Sequence, residues 1–259
     1  MSSRQAGRIA VITGASSGIG AATATRLARI GMTVVATARR EDRLEEVAAT
    51  HPAIVPHVAD VTSSDDLDQL AERVRTDFGA CHVLINNAGV PGGSFQGRED
   101  VDDALRTIDI NLGGTIRAMG AFASLLQASA PSQVINVGSV AGKVGVGPAA
   151  YSGSKFGVVG FTEATSLAWA RHKITVTQLN PGFIETEGFP QTQIKRTPIR
   201  GLIGRPDDVA RAIHRTVLDG VPERTVPLWY RGVVVLRHLA PPLWRAAISR
   251  TRRAGGSRE

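Results

Sequence analysis

Apolar and polar positions along this chain alternate in blocks rather than residue by residue. RIAVIT (8–13) is an almost unbroken apolar run, and the segment from Gly18 to Ile30 places Ile19, Ala22, Leu27 and Ile30 at helical spacing. The couplet recurs. TVVAT (33–37) precedes a predicted helix near 41–49, AIVPHV (53–58) precedes one from Ser63 to Phe78, and VLIN (83–86) precedes one from about Val101 to Gln127. QVINVG (133–138) leads to a helix from about Ala150 to Arg171, ITVTQL (174–179) to one starting in RPDDVARAI (205–213), and TVPLW (225–229) is the expected last strand. Strands that are apolar throughout, each followed by a helix, imply right-handed βαβ units and a parallel sheet covered on both faces. The fold class expected is therefore α/β: a doubly wound parallel sheet of about seven strands, with its ligand crevice where the strand order reverses beside the first strand.

The chain has 259 residues, of which 42% are hydrophobic and 20% charged, which suits one large domain and excludes a disordered or fibrous chain. Its one cysteine, Cys81, can form no internal disulfide, so a reducing, cytoplasmic setting is expected. The polar start MSSRQAG leaves no room for a secretory signal, and Arg231 and Arg237 break the most apolar late stretch, GVVVL (232–236). The net charge of +7 belongs to the tail: residues 224–259 hold eight arginines and one acid, Glu259, whereas residues 1–223 hold 22 basic and 22 acidic side chains. A basic tail on a neutral body argues against nucleic acid as a partner, because that reading needs a basic face on the folded domain. No metal-ligand set is assigned.

The first predicted strand ends in TGASSGIG (13–20), for which two chemistries compete. GASSG fits the GxSxG pattern of a hydrolase nucleophile, with Ser16 as the serine. Alternatively Gly14 makes the sharp turn, Gly18 lets the backbone approach a pyrophosphate, and Gly20 permits close packing of helix on strand, with the anion at the helix N-terminus. A hydrolase elbow normally follows several strands, and here nothing lies upstream to complete a sheet. The phosphate cradle is the preferred reading, with Gly14, Ser16, Ser17, Gly18, Ile19 and Gly20 as cofactor-binding residues.

The spacing TGxxxGxG resembles the main group of the short-chain dehydrogenase/reductase family, and further matches follow in order over about residues 7–220. Asp60 and Val61 are similar to the family's adenine-contacting pair, and NNAG (86–89) to the motif that closes its fourth strand. Asn111, Ser139 in GSVAG, Tyr151 and Lys155 in YSGSK, and PGFIET (181–186) complete the set. The resemblance implies a Rossmann-type oxidoreductase that transfers hydride between a nicotinamide dinucleotide and a carbonyl or secondary alcohol. It implies cofactor contacts from Asn87, Ala88, Gly89, Pro181, Gly182, Ile184 and Thr186 as well as from Tyr151 and Lys155.

Tyr151 and Lys155 stand four apart in a predicted helix, hence on one face a turn apart. A phenol with a reference pKa of about 10 is a poor acid at neutral pH, and a neighbouring ammonium is expected to lower it. Ser139 is expected to donate to the substrate oxygen, and Asn111, by the resemblance, to hold a water that links Lys155 to solvent. Ser139 and Tyr151 are twelve positions apart, one fewer than the family commonly shows, so the loop between them is short.

At the end of the second strand, where a carboxylate would select NAD, VVATARRED offers Ala38 and then Arg39 and Arg40. Planar guanidinium donors suit a 2′-phosphate, so NADP(H) is the preferred cofactor. Val140, Val144, Val146, Phe183 and Phe189 suggest an apolar pocket for a lipophilic substrate, beneath a lid at about 187–204. Asp207 and Asp208 read as first-turn helix acids.

Residues 1–229 are thus read as one catalytic domain and 230–259 as a basic amphipathic extension. There Val233, Leu236, Leu239, Leu243, Trp244 and Ile248 interleave with Arg231, Arg237, Arg245 and Arg250 around Pro241 and Pro242. The extension suits packing on its own domain, a subunit contact or an anionic membrane surface. A homodimer or homotetramer is expected through the helices near 101–127 and 150–171. A non-catalytic dinucleotide sensor and a serine hydrolase remain as other function classes. The set Asn111, Ser139, Tyr151 and Lys155 argues against the sensor, which needs no proton-transfer groups.

Overall fold

The computed structural model describes residues 5–93, 95–195, 201–246 and 249. Seven strands, β1 (Ile9–Thr13), β2 (Thr33–Ala38), β3 (Ile54–Val58), β4 (Val83–Asn86), β5 (Ser132–Val137), β6 (Ile174–Pro181) and β7 (Glu223–Val226), form one sheet. Its order is β3-β2-β1-β4-β5-β6-β7, and every pairing is parallel. The order reverses between β1 and β4, so the crevice opens at the carboxyl ends of those two strands.

Helices α1 (Gly18–Arg29), α2 (Glu41–Ala48) and α3 (Ser64–Phe78) follow the first three strands, and α4 (Val101–Ile108) and α5 (Gly114–Ala128) follow β4. The short α6 (Ala141–Val144) and the long α7 (Ala149–Trp169) come after β5, and α8 (Thr192–Lys195) and α9 (Pro206–Asp219) after β6. α10 (Tyr230–Leu239) follows β7. Two apolar layers hold the sheet. One face packs Leu27 of α1, Leu44 of α2 and Val209, Ile213 and Val217 of α9. The other packs Leu67, Leu70 and Val74 of α3 with Phe122 and Leu126 of α5. Burial of this kind contributes about 25 cal/mol per Å² of apolar surface.

Strands β1, β4 and β5 are buried at every position, as continuous apolar runs require. The edge strand β3 instead buries only Ile54 and alternates half-buried and exposed positions after it, and there Pro56, which lacks an N–H, is tolerated at an exposed position. Two further differences from the sequence expectation have local causes. The helix expected over 101–127 is interrupted by one π-helical turn, Asp109–Gly113, which carries Asn111. The last strand ends at Val226 rather than at Trp229, because Pro227 has no N–H to continue a ladder and its carbonyl accepts from Tyr230 to begin α10. Tyr230, the first residue of the expected extension, is buried against Val140 and Val144 in a third apolar cluster. Among the described residues no helix is long and apolar enough to cross a membrane. Ile248 and Arg250 lie outside the described residues.

Candidate active site

The turn after β1 is built by backbone contact. Gly14 adopts a φ of +66°, and a Cβ there would stand 2.7 Å from the Ala88 Cα. A Cβ on Gly20 would stand 2.3 Å from the Gly14 carbonyl oxygen. Asn87 locks the arrangement. Its Nδ2 donates to the Thr13 and Gly14 carbonyls at 3.0 and 3.1 Å, while the Thr13 hydroxyl accepts from the Asn87 and Ala88 N–H groups. Ser17 opens α1 without a side-chain cap, which leaves the first-turn N–H groups of a twelve-residue helix to other partners. Gly18 faces the Thr186 side chain, 3.0 Å from its would-be Cβ, which brings PGFIET to the same crevice.

The two arginines after β2 take different places. Arg40 reaches the turn, its Nη2 donating to the Ser16 and Ser17 hydroxyls at 3.3 and 3.1 Å, and its Nη1 pairs with Glu187 at 2.9 Å. Arg39 stands 3.7 Å from the Asp60 carboxylate. Asp60 itself accepts from the Thr62 N–H and hydroxyl and thereby shapes the turn after β3, while Val61 packs on Gly114 at the start of α5. Ser16 is thus paired with a cation that has no lone pair to act as a base, which gives the hydrolase reading no support.

At the ends of β4 and β5 the proton-transfer candidates converge. The Ser139 hydroxyl accepts from the Ala141 N–H at 3.1 Å and lies close enough to the Tyr151 phenol to oppose the upward pull of burial on it. The twelve-residue spacing therefore still brings these two groups together, with α6 absorbing the short loop. Lys155 is buried, its Nζ donating to the Val137 carbonyl at 2.8 Å and lying 5.9 Å from the Tyr151 ring centre. Asn111 spends its amide on two neighbours. Its Oδ1 accepts from Val90 N–H at 2.8 Å, and its Nδ2 donates to the Val90 carbonyl and to Ser154. A Cβ on Gly89 would stand 3.0 Å from Asn111 Oδ1 and 3.5 Å from Lys155 Nζ, so that small space is within reach of both polar groups.

One electrostatic expectation is corrected. Burial pushes the Tyr151 phenol up, against a smaller opposing pull from Ser139, whereas the sequence argument had it lowered by Lys155. The ammonium is directed at the Val137 carbonyl, and burial lowers its own pKa to about 8.

The residues expected to line the substrate pocket join an apolar cluster. Val140 and Val144 pack with Val146, Phe183, Tyr230, Val233, Val234 and Trp244, so the C-terminal segment covers residues expected to line the pocket. Phe189 places its ring 5.6 Å from that of Tyr151. The described part of the lid includes α8 and borders a hollow of about 500 Å³ lined by Glu185, Lys195, Ile203, Gly204 and Arg205. Residues 196–200 of the lid lie outside the described residues. Asp208 accepts from the Arg205 N–H at 2.9 Å as a helix-start acid, and Asp207 pairs with Arg211.

Sequence reasoning missed three groups. The first is Tyr230, whose ring would lie 2.0 Å from a Cβ on Gly182 and whose hydroxyl accepts from the Phe183 N–H at 3.3 Å. It is one of only two tyrosines, a faint signal. The second is Lys143, which pairs with Glu223 at 3.2 Å and Glu163 at 3.4 Å just after the Ser139 turn; Glu223 also accepts from Asn180 at 2.8 Å. The third is Glu187, the lid partner of Arg40.

The family model for short chain dehydrogenases matches residues 8–196. The chain belongs to the short-chain dehydrogenase family. It is an oxidoreductase. A 3-oxoacyl-[acyl-carrier-protein] reductase from Synechocystis is 34% identical over 223 residues, covering 82% of this chain and 90% of the relative. A short-chain dehydrogenase/reductase from Burkholderia phymatum, solved with NAD, superposes with a TM-score of 0.83 at 26% identity, covering 92% of this chain and 95% of that one. An actinorhodin polyketide ketoreductase variant, solved with NADPH, gives a TM-score of 0.76 at 28% identity, covering 87% of this chain and 97% of that one.

Proposed function

We propose that this short-chain dehydrogenase interconverts a lipophilic ketone and its secondary alcohol with NADP(H), using Tyr151 as the proton-transfer group. The observation that carries the proposal is the buried Lys155 Nζ, 5.9 Å from the Tyr151 ring centre with Ser139 buried nearby, at the same crevice as the Gly14–Gly20 turn. The residues present fit a nicotinamide dinucleotide. The glycine turn leaves backbone room for a pyrophosphate against the uncapped start of α1, with Ser16, Ser17 and Ile19 around it. Asp60 and Val61 would meet the adenine, Asn87, Ala88 and Gly89 the ribose side, and Pro181, Gly182, Ile184 and Thr186 the carboxamide end. When bound, the dinucleotide supplies or accepts the hydride.

In the reducing direction Tyr151 gives its phenolic proton to the substrate oxygen, and Ser139 donates a hydrogen bond to that same oxygen, where negative charge accumulates. Lys155, with its pKa held to about 8, is mostly protonated at neutral pH and stabilises the phenolate left on Tyr151. The space over Gly89, shared by Asn111 Oδ1 and Lys155 Nζ, fits a proton route back to solvent. Phe183, Phe189 and the Val140–Val144 segment supply the apolar wall. Arg39 and Arg40, after Ala38, favour the 2′-phosphate, and Arg40 already sits on the turn. Pairing with a second copy through α5 and α7 is the assembly that this reading carries, and Ile116 and Leu167 are exposed on those helices.

The test is a panel of ketones and alcohols assayed by NADPH absorbance. Native protein should turn over at least one lipophilic member, and Tyr151→Phe should lose about a thousandfold or more in kcat. Unchanged turnover in Tyr151→Phe would remove the phenol from the mechanism. Arg39→Asp and Arg40→Asp should each lower the ratio of NADPH to NADH efficiency; an unaltered ratio in both would cancel the NADP preference.

A further inference from the structure

α10 is apolar on two opposite faces. At about 100° per residue, Tyr230, Val233, Val234 and Arg237 share one stripe. That stripe is turned to the body, where the first three join the Val140–Val144–Phe183 cluster and the Arg237 guanidinium lies 5.3 Å from the Phe156 ring centre. Val235, Leu236 and Leu239 share the opposite stripe and are exposed, Leu239 at 81%. Leu228 and Trp229 before the helix and Leu243 after it, 66% exposed, extend the same apolar surface. A helix apolar all round ordinarily sits in an apolar medium on both sides.

Charge says which medium. From Arg224 to Arg258 the chain has eight arginines and no acid. Arg231 flanks the outward stripe of α10, and Arg245 is exposed beyond it. An exposed apolar stripe rimmed by cations matches an anionic lipid surface, where side chains enter the acyl boundary and arginines meet phosphates. The exposed Leu105 of α4 has a different setting, since Asp102 and Asp103 stand in the same helix and would be repelled there.

We propose that the outward face of α10, with Leu228, Trp229 and Leu243, docks the protein on an anionic lipid bilayer. The inward face of the same helix covers Phe183 and Val140, so docking sets the substrate side of the crevice against the lipid. A ketone or alcohol dissolved in the acyl region then enters without crossing water. That consequence for the substrate rests on the reductase reading, whereas the docking itself does not.

The experiment is flotation of the full chain with phosphatidylcholine vesicles, with and without phosphatidylglycerol. Binding is expected on the anionic vesicles only and should weaken as salt is raised through the range where surface charges are screened. The double variant Leu236→Glu with Leu239→Glu should reduce the bound fraction about tenfold or more while keeping the native melting temperature within a few degrees. Failure of the full chain to float at low salt would overturn the proposal, as would equal flotation of the double variant. Sedimentation velocity on the same proteins provides the other arm. If the double variant halves the assembly size while native protein ignores vesicles, the face joins two copies and the lipid proposal is wrong. Flotation needs neither cofactor nor turnover, so its failure is distinguishable from failure of the reductase reading.

Discussion

Around Gly14 and Gly20 the chain meets itself through main-chain atoms, the Ala88 Cα and the Gly14 carbonyl, whereas around Gly182 the close neighbour is the side-chain ring of Tyr230, forty-eight residues away. All three glycines leave no room for a Cβ, but only the contact at Gly182 can be relieved by changing its partner. The Gly14–Gly20 side of the crevice is thus a property of backbone geometry, while the Gly182–Phe183 side is a packing arrangement that the C-terminal segment completes. Such a division lets the wall and the entrance vary without disturbing the phosphate cradle.

The contrast is broken most directly at Gly20. Gly20→Ala pushes a methyl group into backbone and is expected to weaken dinucleotide binding about a hundredfold by calorimetry, with no second substitution restoring it. Affinity within a few fold of native would mean that the turn is not rigid. Gly182→Ala should cost about 2–3 kcal/mol in urea unfolding by overpacking the Tyr230 ring. Adding Tyr230→Ala should return at least about 1 kcal/mol of that, and strict additivity would show that the ring is not the obstacle.

Lys155, between the two sides, carries the next largest effect. Burial depresses its pKa to about 8 from 10.5, so the folded state binds fewer protons than the unfolded one between those values. The penalty is fully present below about pH 8 and is relieved as pH rises toward 10.5. Lys155→Met should therefore stabilise the fold at pH 7 by about 2 kcal/mol and flatten the gain in stability between pH 8 and 10, even as activity is lost. A lower melting temperature at pH 7 would mean that the hydrogen bond to the Val137 carbonyl outweighs the desolvation.

The smallest effect is expected at Lys143, which braces the Ser139 turn against Glu223 and Glu163. Lys143→Met should lower kcat about three- to tenfold through a loosened Ser139, leaving dinucleotide affinity unchanged. A matching loss of cofactor affinity would place Lys143 on the other side of the comparison.

Much of the fold and of the candidate site was legible beforehand because the signals are local. TGASSGIG, NNAG and the four-residue Tyr151–Lys155 step each specify a turn or a helix face within a few residues. The π-helical turn at Asn111 was not legible, since 101–127 is uninterrupted in helical periodicity and the register change shows only in the hydrogen bonds. The pairing of Arg40 with Ser16, Ser17 and Glu187 was equally hidden, because two adjacent arginines look alike in sequence. The direction of the Tyr151 shift was misjudged for a related reason. Helical spacing placed the ammonium on the correct face, but the depth of burial and the Val137 carbonyl that claims Lys155 depend on distant strands.

Sequence alone determined the strand–helix alternation, the family and the glycine turn, and it named the candidate proton-transfer set, because hydrophobic period and steric allowance act over neighbouring residues. Tertiary structure alone decided that the short loop still brings Ser139 near Tyr151, that Lys155 lies buried at a carbonyl, and that the C-terminal helix packs over Val140 and Phe183. Those outcomes depend on which surfaces meet beyond the reach of a local pattern, from 12 residues apart for Ser139 and Tyr151 to 90 for Val140 and Tyr230, and desolvation, the strongest influence on both titrating groups, exists only once those surfaces have met.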